Sequence, residues 1–268
     1  MLIAGRNQVL DHMSLEDGFR ALKDADADAV ELCVEHPAMS PDTLLTPSGA
    51  KLARRIGKMV TDAGLKASAV GWHCEYVTNE ANFNQLKKLV PLTHEFGTDV
   101  FITSGVGRGE APNKAELLVQ RTRELCTIAE GCGVRLAIEY EPNFIVGDTA
   151  SLLRLCDDVG SDALAANLDL GHVFLIEPDP IGAIRSLGAR TVHCHVEGMA
   201  SGIHKHLLPW EGDLDLGEYL AVLAEVGFEG ALALDLHKAD YAAAAPACFS
   251  YLRGVLDKVE LPRSAAGA

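Results

Sequence analysis

Residues 166–175 read ANLDLGHVFL: small and apolar side chains at Ala166, Leu168 and Leu170, interrupted by Asp169 and followed, after Gly171, by His172. The first half has the length and composition of a buried β-strand. A carboxylate and an imidazole three residues apart at its end have two readings, a packed strand with a polar end or a metal site. Which one applies depends on whether the arrangement recurs.

It recurs along the whole chain. Short aliphatic or β-branched runs at 2–4, 29–33, 67–70, 99–103, 135–138, 164–168, 191–194 and 231–234 read as eight strand cores. Each precedes a stretch with helical spacing. The clearest places Leu216, Tyr219, Leu220, Leu223 and Val226 on one face, with Gly227 positioned to end it. Another, from about Asn113 to Glu130, gathers Leu118, Leu125, Ile128 and Ala129 on one side. Eight βα repeats without a Pro/Gly/Ser linker between halves predict one closed (β/α)8 barrel of the α/β class, a single domain over residues 1–260. The end, LPRSAAGA (261–268), reads as a flexible tail.

Composition narrows the function classes. Apolar residues make up 48% of the 268, enough for a sizeable core, yet no apolar run approaches the ~18 residues of a membrane span. The start, MLIAGRNQVLDHM, lacks a basic segment followed by a long apolar one, so a cytoplasmic location is expected. The seven cysteines show no C-x-x-C spacing and read as reduced thiols. A net charge of -15 repels phosphate backbones, which argues against a nucleic-acid partner and for a small molecule. Whether the chain forms a homo-oligomer is left open.

In a parallel barrel the active site sits where the strands end. There the polar residues accumulate: Glu31, Glu35 and His36; His73 and Glu75; Glu139 and Glu141; Asp169 and His172; His193 and His195; Asp235 and His237. The segment GIHKH, read as a loop, adds His204 and His206, so that of ten histidines only His12 and His94 lie elsewhere. A hard divalent cation favours two or three carboxylates with an imidazole and positions open to substrate oxygens. Glu139, Asp169, His195 and Asp235 supply that set from the last four strands, at spacings of 30, 26 and 40 residues. His193 shares a strand face with His195 and competes with it. Gly105, Gly107 and Gly109 lack the context of a dinucleotide site, and no organic cofactor is expected.

The segments LAIEYEPN, ANLDLGHVFL, TVHCHVEG, HKHLLPWEGDLDLGEYLAVLAEVGFEG and LALDLH, in this order, make the chain resemble the xylose-isomerase-like barrel superfamily. That superfamily holds sugar phosphate isomerases and epimerases and also the endonuclease IV type of DNA-repair enzyme. The resemblance covers 135–237 well, and the first half only in its alternation. It implies that Glu139, Asp169, His195 and Asp235 hold one divalent metal ion, Mn2+ first, with Mg2+, Co2+ or Zn2+ as alternatives. It also favours His195 over His193 as the ligand. Most of the superfamily carries Glu where this chain has Asp235, a shorter side chain. His204 and His206 fall where the repair enzymes hold extra zinc ions, but those enzymes also have a histidine where this chain reads FITSG. The resemblance therefore favours one metal over three.

By the same resemblance the chain is an isomerase or epimerase of a keto sugar, sugar acid or cyclitol, working through an enediolate. Glu139 and Asp235 would move the proton, and His172, His73, Lys205, His206, Trp72 and Trp210 would meet the carbohydrate or cyclitol. A metal-dependent lyase, either a keto-inositol dehydratase or an enzyme cleaving an oxidised glycoside, is the alternative. A barrel that only binds its ligand, or an endonuclease, comes after these. Simple ketohexose epimerases often have an Arg soon after the metal histidine; here Lys205 is the first cation after His195.

Overall fold

The computed structural model describes residues 1–104, 106, 113–236 and 240–259. The loop glycines 105, 107 and 109, His237 and the tail 261–268 lie outside the described residues. The strands are β1 (Leu2–Arg6), β2 (Ala29–Cys33), β3 (Lys66–Gly71), β4 (Val100–Ser104), β5 (Arg135–Glu139), β6 (Leu164–Asp169), β7 (Thr191–Val196), β8 (Gly198–Ala200), β9 (Ile203–Leu207) and β10 (Ala231–Leu234). The helices are α1 (Leu15–Asp24), α2 (Pro41–Leu44), α3 (Gly49–Asp62), α4 (Glu80–Leu89), α5 (Lys114–Cys132), α6 (Thr149–Val159), α7 (Leu170–Ile176), α8 (Pro180–Leu187), α9 (Leu216–Glu225) and α10 (Tyr241–Leu256).

All strands except β8 and β9 pair in parallel, in the closed order β1-β10-β7-β6-β5-β4-β3-β2, so the chain is a single-domain (β/α)8 barrel. All eight predicted strand cores are barrel strands, displaced at most by a residue or two. Helix starts follow capping chemistry: the side chains of Ser14, Asp148 and Asp215 accept hydrogen bonds from backbone N–H groups of α1, α6 and α9. Gly133, Gly160 and Gly227, all at positive φ, follow α5, α6 and α9.

Strand side chains alternate, and here the two sides differ in chemistry. The outer sides pack against the helices in one large cluster that includes Phe19, Ile56, Leu86, Leu125, Leu152, Leu223 and Phe249. Each such fully buried side chain contributes about 2 kcal/mol. The inner sides carry small residues at the closed end, among them Ala4, Ala29, Ala231 and Ala233 in one cluster and Ala137 and Ala165 in another. Two residues further along the same strands come Arg6, Glu31, Asp235, Glu139 and Asn167, which are all buried. The upper layer of the barrel is thus charged where branched aliphatics are usual.

The segment GIHKH is not a loop. Ile203–Leu207 is β9, antiparallel to β8, and this hairpin stands over the mouth. Its sequence shows no alternation because neither of its faces is buried in a core; Ile203, His204 and Lys205 are exposed.

A carboxylate and imidazole cluster at the barrel mouth

Asp169 ends β6 and at once caps α7: its Oδ1 accepts from the backbone N–H of His172 at 2.8 Å. Its Oδ2 points into the barrel, buried and without a hydrogen-bond partner. The turn is tight, and Gly171 fits there because a Cβ would sit 1.9 Å from Glu197 Oε1. Instead, the Gly171 N–H donates to that oxygen at 2.9 Å.

Glu139 ends β5, and its Oε2 is held from three sides: His73 Nε2 at 2.9 Å, His195 Nδ1 at 3.0 Å and Asn167 Nδ2 at 2.6 Å. His195 lies across the barrel from Glu31, Nε2 to Oε2 2.8 Å, so the imidazole is clamped between two carboxylates. Burial alone would protonate Glu139, but His195 and His73 outweigh it and hold the carboxyl well below the usual range. Burial likewise opposes charge on His195, yet Glu139 and Glu31 prevail and raise it well above the ordinary value. Glu197 has no such compensation. Burial, then the adjacent charge of Asp169, push it far up, so it keeps its proton when the site holds no cation.

Asp235, the residue after β10, meets a cation of the chain itself. Arg6, at the end of β1, brings Nη1 to 2.5 Å from Asp235 Oδ1 and Nη2 to 3.3 Å from Glu31 Oε1. The other oxygen of Asp235 is 3.7 Å from His195 Nδ1 and 3.7 Å from His206 Nδ1.

Of these groups Arg6, Glu139 and Asp235 line a cavity of about 380 Å3, and Asp169 and His195 are buried behind it. His73, His172, Lys205 and His206 line it. Trp72 and Trp210 are not among the residues lining it; Trp210 is exposed and stacks edge-on against Tyr251. His172, His204 and His206 form a second group at the lip. The Nε2 atoms of His172 and His204 are 2.9 Å apart, so one of the two donates.

Of the four predicted ligands, three converge most closely: one donor atom each from Glu139, Asp169 and His195 lie within 4.8 Å of one another. Two carboxylates and an imidazole gathered this closely fit a divalent cation. Sequence reasoning missed Arg6, Asn167 and Glu197. Arg6 carries the signal that marked Glu139, a charge ending an apolar run, but a guanidinium belongs to no metal-ligand pattern. Glu197 is two residues beyond His195 and therefore on the same side of the chain.

Comparison with known proteins agrees with this architecture. The sequence profile of the xylose isomerase-like TIM barrel matches residues 19–252. A D-psicose 3-epimerase of Enterocloster bolteae is 30% identical over 121 residues, 44% of this chain and 38% of that enzyme. The matched part thus spans well under half the length of that curated relative. The probable 3-DHS dehydratase AsbF of Bacillus anthracis superposes with a TM-score of 0.80 at 16% identity, over 94% of this chain and 99% of that one. A xylose isomerase-like TIM barrel protein of Mycobacterium smegmatis, solved in complex with magnesium, gives a TM-score of 0.77 at 17% identity, over 96% of this chain and 97% of that one.

Proposed function

Since the chain belongs to the xylose isomerase-like TIM barrel family, we propose that it is a divalent-metal-dependent isomerase or epimerase of a small keto sugar, sugar acid or cyclitol. The observation that carries this reading is the convergence of Glu139, Asp169 and His195 directly behind a cavity whose lining includes Glu139 and Asp235. The relationship to a D-psicose 3-epimerase supports the substrate class.

Glu139, Asp169 and His195 would hold the cation, Mn2+ or Mg2+ by preference for oxygen donors. Once bound, it supplies Lewis-acid polarisation of a substrate carbonyl. Glu139 is the proton acceptor: His195 and His73 keep it ionised, and Asn167 fixes the direction of its Oε2. Asp235 faces the same space from β10 and, after taking up a proton from solvent, delivers it to the same carbon for an epimer or the adjacent one for an isomer, while Glu139 keeps the proton it removed and releases it to solvent afterwards. His73, His172, His206 and Lys205 line the cavity and offer hydrogen bonds to hydroxyl groups. The hairpin β8–β9 contributes His204, Lys205 and His206 to one side of the cavity.

The compartment is part of the same proposal. No helix among the described residues is long and apolar enough to cross a membrane, and all seven cysteines are free. We place the enzyme in the cytoplasm, where thiols stay reduced, acting on a small soluble molecule rather than a nucleic acid.

A lyase is the second reading, favoured by the imidazoles of His172 and His204 at the lip, placed to protonate a leaving hydroxyl. One experiment separates the two. The Mn2+-loaded protein is incubated with a panel of keto sugars, sugar acids and keto-cyclitols in deuterated water. Deuterium in a product of unchanged formula supports the isomerase or epimerase, and loss of water supports the lyase. Failure of exchange across the panel, with Mn2+ bound, rejects both.

A further inference from the structure

The register that pairs Ala4 with Ala233 where β1 meets β10 sets Arg6 opposite Asp235 two residues later. Their contact is buried, with 3% of the Arg6 side chain and 4% of the Asp235 side chain exposed. Tyr241 pins both strand ends: its hydroxyl accepts from the Arg6 backbone N–H at 3.1 Å and donates to the carbonyl of Leu234 at 3.0 Å.

We propose that Arg6 keeps Asp235 out of the metal shell, so that the cation is held by only three side chains of this chain, Glu139, Asp169 and His195, with Asp235 on the substrate side. This rests on the metal reading given above and departs from the set of three carboxylates and one histidine that the resemblance implies. The Arg6 ion pair carries it. Asp235 and Glu31 already share a buried guanidinium that cannot lose its proton. Moving Asp235 onto the cation would strip a buried Arg6 of its closest carboxylate, which is strongly unfavourable. Reach points the same way. Asp is one methylene shorter than Glu, and Asp235 joins none of the groups of three or more metal-competent donors lying within 4.8 Å of one another among the described residues.

Calorimetric titration of Mn2+ into the metal-free full-length protein tests this. Wild type should take one ion. Asp235→Asn should bind it within about threefold of wild type, whereas Asp169→Asn should lose at least about 100-fold. Arg6→Met, by releasing Asp235, should tighten binding, and the added Asp235→Asn change should cancel that gain. A loss in Asp235→Asn as large as in Asp169→Asn overturns the proposal while leaving the metal reading intact; a wild type that takes no Mn2+ overturns both. Anomalous diffraction from wild-type crystals soaked in Mn2+ needs no variant. Asp235 oxygens beyond bonding reach of the ion, more than about 2.6 Å away, support the proposal, and bonding distances overturn it.

Discussion

His193 donates from Nδ1 to Asn167 Oδ1 at 2.8 Å, and this one contact decides which way the Asn167 amide faces. The amide nitrogen then has to point at Glu139 Oε2, 2.6 Å away. Behind His193, Ser68 Oγ lies 3.2 Å from Nε2 and donates to it. Burial, more than any nearby charge, pushes His193 down to about 3, so it stays neutral and keeps this tautomer. Asn167→Ala should therefore lower kcat by roughly 10- to 100-fold with a smaller change in KM, because it frees Glu139 to swing without removing it. Steady-state kinetics on the substrate found by deuterium exchange measures the split. A rise in KM at constant kcat would mean that Asn167 contacts substrate instead.

Glu139→Gln retains the shape of the side chain but cannot accept a proton. Solvent deuterium exchange into substrate should fall by about 1,000-fold or more, read by NMR. Exchange at the wild-type rate would transfer the role of base to Asp235.

Gly171 and Gly131 make an internal comparison of packing. A methyl at 171 would meet Glu197 Oε1 at 1.9 Å and Met199 Cε at 2.4 Å, whereas a methyl at 131, on α5, meets nothing within 4 Å. Gly171→Ala should cost about 2 kcal/mol through overpacking. Gly131→Ala should stabilise by up to about 1 kcal/mol through helix propensity. Urea denaturation of both variants reads the difference.

At the closed end of the barrel, Asp28 accepts from the Ile3 N–H at 2.9 Å and from Arg253 Nη2 at 3.0 Å, tying α10 to β1 and β2. Partial burial works to raise its pKa, but the bonds from Arg253 and Ile3 win and hold it below its ordinary 3.8. A carboxyl lowered on folding contributes in full above the unfolded value and loses that contribution as pH falls through the folded one. Asp28→Asn should thus cost about 1 kcal/mol at neutral pH and flatten the fall in stability below pH 4. Thermal melts from pH 2.5 to 7 would show it; parallel curves for the two proteins would remove Asp28 from the acid response.

Periodicity along the chain determined the eightfold alternation, the strand cores and the ends where acids and imidazoles collect, because each of these is a short-range pattern written within about ten residues. Glu139, Asp169 and His195 were legible for that reason: a charge ending an apolar run stands out without any partner in view. Arg6 was not, since what makes it matter is Asp235, 229 positions away in the chain and adjacent only because β1 pairs with β10 when the barrel closes. The hairpin β8–β9 escaped notice for a related reason: β8 is only three residues long and β9 is largely exposed, so no burial pattern marks either in the sequence. Tertiary structure alone decided which buried charges neutralise which, because Coulomb interactions in a desolvated interior depend on distance through space, and the order of residues along the chain does not contain that distance.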